Sequence, residues 1–113
     1  MNPNPTIESI AEKLRTGRYA PTEYSEMRMT LAGEYAFWAG QYEDILKRKP
    51  NVWLAIRRNP ECKSDARADR EYELTEDGMN EIVIRLKLKT VEKLMSAIKT
   101  QLEVMSNEAR NNY

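Results

Sequence analysis

YELTEDGMNEIVIRLKLKTVEKLMSAIKTQLEVM, from Tyr72 to Met105, is the stretch on which the fold turns, because it carries two periodicities at once. Ile84, Leu86 and Leu88 alternate with Arg85, Lys87 and Lys89, the period of a half-buried strand, and Asp77-Gly78 is a hairpin-type dipeptide just upstream. That reading gives an α+β protein with one short β-hairpin near 71–89. The same stretch also keeps a four-three spacing at Ile84, Leu88, Val91, Met95, Ile98, Leu102, Met105 and Ala109, flanked by Leu94 and Val104. That is the apolar face of a helix. The helical reading is preferred because Ile84 and Leu88 fall in register with everything downstream. The residues from Ser64 to Glu76 are also rich in Ala, Arg and Glu and lack a β-branched run. The expectation is therefore an all-α protein, a helical hairpin or bundle with a long C-terminal amphipathic helix, clearest from Glu92 to Glu108.

Upstream, residues 1–5 hold two prolines and two asparagines and no apolar anchor, and read as a flexible arm before a single helical domain at 6–113. Thr6 is placed to cap a short helix carrying Ile7, Ile10, Ala11 and Leu14 and stopping at Gly17. Thr22 offers a second cap. From Glu23 to about Lys49 the seam Tyr24, Arg28, Leu31, Tyr35, Trp38, Tyr42, Ile45 predicts a long amphipathic helix, broken only by Arg28. Ala32, Gly33, Ala36, Ala39 and Gly40 lie on a neighbouring stripe. Mid-helix glycines cost about 1 kcal/mol each relative to alanine, which predicts that the C-terminal helix comes close there. Pro50 disfavours helical geometry at Lys49, so Asn51 to Arg58 is either a separate helix or a kinked continuation. Asn59-Pro60 marks a turn, and Ser64 can cap a helix that begins at Asp65.

The chain of 113 residues carries 18 Lys+Arg and 18 Asp+Glu, no histidine and one cysteine. Histidine is the commonest general base and zinc ligand, and Cys62 alone completes neither a zinc site nor a disulfide. No catalytic residue, metal or cofactor is expected. A lone cysteine, with a start that has neither a signal-peptide core nor a transit-peptide texture, predicts the cytoplasm. No run approaches the roughly 20 apolar residues of a membrane span.

The neutral net charge hides strong blocks. Between Ile45 and Pro60 stand five bases, Lys47, Arg48, Lys49, Arg57 and Arg58, with no acid; Glu61 to Glu81 holds eight acids and three bases. The basic block also contains Trp53. Cations for phosphates beside an aromatic for stacking are what single-stranded nucleic acid requires, so Lys47, Arg48, Lys49, Trp53, Arg57 and Arg58 are the candidate nucleic-acid-binding residues. Two plainer readings stay open: Trp53 plugs a core, and the bases pair with the acidic block. Asp65, Asp69, Glu73 and Glu76/Asp77 stand at near-helical spacing, as a solvated carboxylate face or as a surface that binds magnesium or mimics DNA phosphates.

The order of these features resembles a family of small helical phage proteins, the UvsY-like recombination mediators. The resemblance runs from Glu34 to Asn107, through YAFW (35–38), the basic end at Lys47-Arg48-Lys49, SDARADREYELTE (64–76) and KLMSAIKTQLEVMSNEARN (93–111). It implies an all-α homo-oligomer that binds single-stranded DNA and helps load a recombinase onto strands coated by single-strand-binding protein, in the host cytoplasm. On this chain the implied DNA contacts are Lys47, Arg48, Lys49, Arg57 and Arg58, and the implied self-assembly seam is Leu94, Ile98, Leu102 and Met105. The alternative from another class is a small helical protein–protein adaptor or inhibitor acting on a host or phage enzyme.

Overall fold

The computed structural model describes residues 5–111, and the arm expected at residues 1–5 lies outside them except for Pro5. Among the described residues four helices occur in order: α1 (Pro5–Thr16), α2 (Pro21–Arg57), α3 (Asp65–Glu73) and α4 (Glu76–Asn111). No strand occurs among the described residues, so the fold is all-α with a long C-terminal helix and the hairpin near 71–89 is absent. No described helix is long and apolar enough to cross a membrane.

The helix boundaries obey local chemistry. Pro21 opens α2 at the first helical position, where its missing N–H costs nothing, and the Ala20 carbonyl accepts from Glu23 and Tyr24 at 3.0 and 3.1 Å. Thr22 therefore sits inside the first turn instead of capping it, and Thr6 likewise lies inside α1. Ser64 does cap: its hydroxyl accepts from the Arg67 N–H at 3.2 Å. The Asn59-Pro60 turn is present, with the Cys62 N–H on the Asn59 carbonyl at 2.9 Å. Helix α2 runs through Pro50 to Arg57, so the segment after Pro50 is a continuation and not a separate helix. Proline leaves the carbonyl four residues earlier without its helical donor. Side-chain bonds from Arg48 and Lys49 on one side of Pro50, and from Trp53 and Arg57 on the other, tie the helix to carboxylates on both sides of that break.

Asp77-Gly78 is helical too, because Thr75 claims the start of α4. The Thr75 hydroxyl accepts from the Gly78 N–H at 3.0 Å and donates to the Tyr72 carbonyl at 2.6 Å, while its own carbonyl takes the Met79 N–H at 2.9 Å. One side chain thus closes α3 and opens α4. Gly78 is required for a reason unrelated to turn conformation: a Cβ there would lie 2.0 Å from the Tyr72 carbonyl oxygen and 2.8 Å from the Glu73 Cα. Its φ is not positive.

Two compact units divide the described chain, one formed by the residues up to Phe37 together with those from Leu88 onward, the other by Trp38–Lys87. In the first, Ile7 and Ile10 of α1, Tyr24, Met27 and Leu31 of α2, and Val91 and Ile98 of α4 form the buried core. The seam expected on α2 is present at Tyr24 and Leu31, and Met27 supplies the apolar contact that Arg28, exposed, does not. Tyr35 donates to Glu92 at 3.0 Å, and Ala32 and Met95 line a cleft with them, so α2 and α4 run antiparallel here. Tyr19 and Tyr24 meet edge to face at 5.9 Å.

In the second unit the core is Ile45, Cys62, Ala68, Tyr72 and Ile84 with one buried acid, Glu81. The expected close approach at the α2 glycines is not made. Gly33 and Gly40 each face open space, with nothing within 4 Å of an added Cβ, and Ala32 and Ala36 are exposed. The helices pack on the aromatic and aliphatic seam, and Gly33, Ala36 and Gly40 are exposed.

Candidate functional site

Pairing consumes most of the basic block. Lys49, Trp53 and Arg57 recur every four residues on one face of α2, and each takes a carboxylate from the acidic half of the sequence. The Lys49 ammonium reaches Glu81 at 3.1 Å, the Trp53 indole N–H donates to Asp69 at 2.8 Å, and the Arg57 guanidinium donates to Asp65 at 2.7 Å. Arg48, beside this face, forms a two-pronged pair with Asp77 at 3.1 and 3.0 Å. Arg57 also donates to the Cys62 carbonyl at 3.1 Å, tying down the loop between α2 and α3.

These contacts set the local electrostatics. The hydrogen bond from Arg48 holds the Asp77 carboxyl below its ordinary value, and the same contact raises Arg48. Arg57 is raised by Asp65 in the same way. Glu81 is buried, and it receives Arg85 at 3.3 Å as well as Lys49, so two cations face one carboxylate. Arg85 is in turn raised chiefly by its contact with the Tyr42 hydroxyl. Tyr72 lies beside this cluster with the Lys49 ammonium 4.9 Å from its ring centre. Its hydroxyl is buried near Glu81 without a hydrogen bond of standard geometry, and burial first, then the Glu81 charge, pushes its pKa up to about 12. Lys49, Trp53, Asp69, Tyr72, Glu81 and Arg85 line a cleft of about 340 Å³ in which both signs of charge are represented.

Of the six candidate nucleic-acid contacts, the fold brings Lys49, Trp53 and Arg57 onto one face and Arg48 next to it, and turns all four toward acids. Lys47 pairs along its own helix with Glu43 at 3.1 Å and stays largely in solvent. Arg58 is exposed and makes no ion pair among the described residues. The Trp53 indole is half-buried and holds Asp69, so its edge is engaged in the fold. Of the carboxylates expected along one stripe, Asp65 and Asp69 face Arg57 and Trp53 from α3 and Asp77 meets Arg48 from the start of α4, while Glu73 and Glu76 are exposed.

The candidate assembly seam is placed differently. Ile98 is fully buried in the core of the first unit, and Leu94, Leu102 and Met105 are half-buried, so the chain itself uses most of this seam. Sequence reasoning missed a second apolar set on α4. Met79, Ile82, Val83 and Leu86 are exposed, at the three- and four-residue spacing of a single helical stripe. That spacing is present in the sequence, where it overlaps the alternation at Ile84, Leu86 and Leu88.

No family profile, no curated protein and no solved structure matches this chain.

Proposed function

We propose that the protein is a non-catalytic helical adaptor of the cytoplasm that works by binding another protein through the outer face of α4. One observation carries the reading: the basic block that would serve a nucleic acid is largely neutralised within the fold, whereas the α4 stripe is left in solvent. Cations already held by carboxylates contribute little field for steering a polyanion. A contiguous exposed apolar stripe is, by contrast, a common mark of a protein-binding surface.

The single-stranded DNA mediator, loading a recombinase as an oligomer, is the second reading. Lys47 and Arg58 favour it, since both remain in solvent and either can meet a phosphate. Two measurements separate the readings. A photoreactive residue in place of Val83 should yield protein adducts in producing cells, and a short fluorescent single-stranded oligonucleotide should show no change in anisotropy at about 50 mM salt. Anisotropy that rises at low salt and collapses at moderate salt would overturn the adaptor in favour of the mediator.

A further inference from the structure

We infer that the outer stripe of α4 binds a second copy of this chain, with the two α4 helices antiparallel. The inference rests on the reading of that stripe as the working surface and specifies its occupant. Met79 is 53%, Ile82 46%, Val83 36% and Leu86 59% exposed, on the side of α4 away from the buried Glu81 and Ile84. Single exposed apolar residues are ordinary, but four in one unbroken stripe need a cover.

The charges at its ends identify that cover. Glu76 stands at the N-terminal end of the stripe and Lys87 at the C-terminal end. Their separation is close to three full turns at about 3.6 residues per turn, so both lie along the same edge. When two copies meet antiparallel about a two-fold axis near Ile82 and Val83, Glu76 of each copy faces the partner's Lys87, and the apolar residues face one another. A parallel pair would place this edge of the two copies on opposite sides of the interface, so neither Glu76 nor Lys87 would meet an opposite charge from the other's edge. The stripe is therefore self-complementary in one orientation only, the condition for an isologous dimer.

Both charges are free to take part. Glu76 is exposed and makes no ion pair among the described residues. Lys87 rests 4.6 Å from the Trp38 ring centre, a contact through one side of the ammonium that leaves donors for a carboxylate. The stripe is much smaller than the roughly 800 Å² per partner of a standard stable interface, so the dimer is weak and its population depends on concentration.

Sedimentation equilibrium of the full chain from about 10 µM to about 1 mM tests this, the range in which a small interface associates. The mass average should climb from 13.2 kDa toward twice that value. Leu86→Lys and Val83→Glu, both at exposed positions, should hold it at 13.2 kDa at every concentration with unchanged far-UV circular dichroism. Glu76→Lys and Lys87→Glu should each weaken the dimer severalfold, and the two together should restore it. A monomer across the whole range, a dimer indifferent to Leu86→Lys, or no rescue by the double charge exchange would overturn the proposal. If the chain stays monomeric while position 83 still crosslinks to a different protein, self-association falls and the adaptor reading survives.

Discussion

Alanine at three glycines should change stability in opposite directions. At Gly78 an added Cβ would sit 2.0 Å from the Tyr72 carbonyl oxygen, 2.8 Å from the Glu73 Cα and 2.9 Å from the Tyr72 carbonyl carbon. A carbon–oxygen contact relaxes only near about 3.3 Å, so the end of α3 and the start of α4 must part by more than 1 Å or so. All three obstructing atoms are backbone, which no rotamer change can clear. Parting them pulls on the Thr75 hydroxyl, which spans Tyr72 and Gly78 with bonds of 2.6 and 3.0 Å. Overpacking of this kind costs about 1–3 kcal/mol, and a lost cap adds about 1 kcal/mol. The better helix propensity of alanine returns up to about 1 kcal/mol, leaving Gly78→Ala destabilised by ~1–3 kcal/mol. Gly33 and Gly40 have the same chemistry without the obstruction, so Gly33→Ala and Gly40→Ala should each stabilise by up to ~1 kcal/mol. Urea unfolding monitored by circular dichroism gives all three values with one reference protein. If Gly78→Ala proves neutral or stabilising beside the other two, the close approach of α3 to α4 is wrong, and with it the argument for why glycine stands at that position.

The same contacts predict three further outcomes. Thr75→Ala should lose ~1 kcal/mol in the same urea assay, and Thr75→Ser, which keeps the hydroxyl, should lose much less. Asp77 has a folded pKa below its ordinary 3.8 because Arg48 donates to it. Its contribution is therefore fully present above that ordinary value and fades as pH falls through the lower, folded one, so stability measured from about pH 5 to about pH 2 should decline less steeply in Asp77→Asn than in the wild type. Tyr72 shifts the other way, up to about 12 from 10.0, so the unfolded chain loses this proton first. Absorbance titration of the phenols should show a late-titrating tyrosine that Tyr72→Phe removes. The stability lost between about pH 10 and about pH 12 should be smaller in that variant.

The apolar seams were legible in the sequence because burial obeys helical periodicity almost without exception here. Tyr24, Leu31 and Ile45 on α2, and Ile84, Val91 and Ile98 on α4, are all buried. The alternation at Ile84, Leu86 and Leu88 was a coincidence of composition: Ile84 faces the core, Leu86 faces solvent, and Leu88 is half-buried. Asp77-Gly78 misled for a different reason. A glycine can be demanded by a neighbouring backbone as well as by a turn, and only the position of the Tyr72 carbonyl distinguishes the two. The α2 glycines show the converse, since Gly33 and Gly40, which predict a close helix contact, face open space. The candidate site was half legible. The bases and acids were found and their mutual pairing was one reading of those blocks, but a charge run does not disclose which way its side chains turn.

That pairing bears on where function resides. Lys49, Trp53 and Arg57 are four residues apart on α2, and their acceptors Glu81, Asp69 and Asp65 come in the reverse order along the chain. Such a ladder accounts for why a chain of zero net charge is segregated into blocks: complementary charge fixes how α3 and the start of α4 meet α2 in this unit, across a Pro50 that weakens the helix toward its C-terminal end. The exposed pairs among them, Arg57–Asp65 and Arg48–Asp77, contribute little energy each, so their value lies in register. Charge that specifies the fold is not also available, at full strength, to specify a polyanion. The apolar residues offer the opposite balance, because Ile45, Tyr72 and Ile84 complete the core without Met79, Ile82, Val83 or Leu86. Those four side chains leave about a third to more than half of their surface in solvent, which raises the hazard of aggregation. A surface with that cost is where a binding partner is to be sought, and the positions of Glu76 and Lys87 at its two ends make the chain itself the first partner to test.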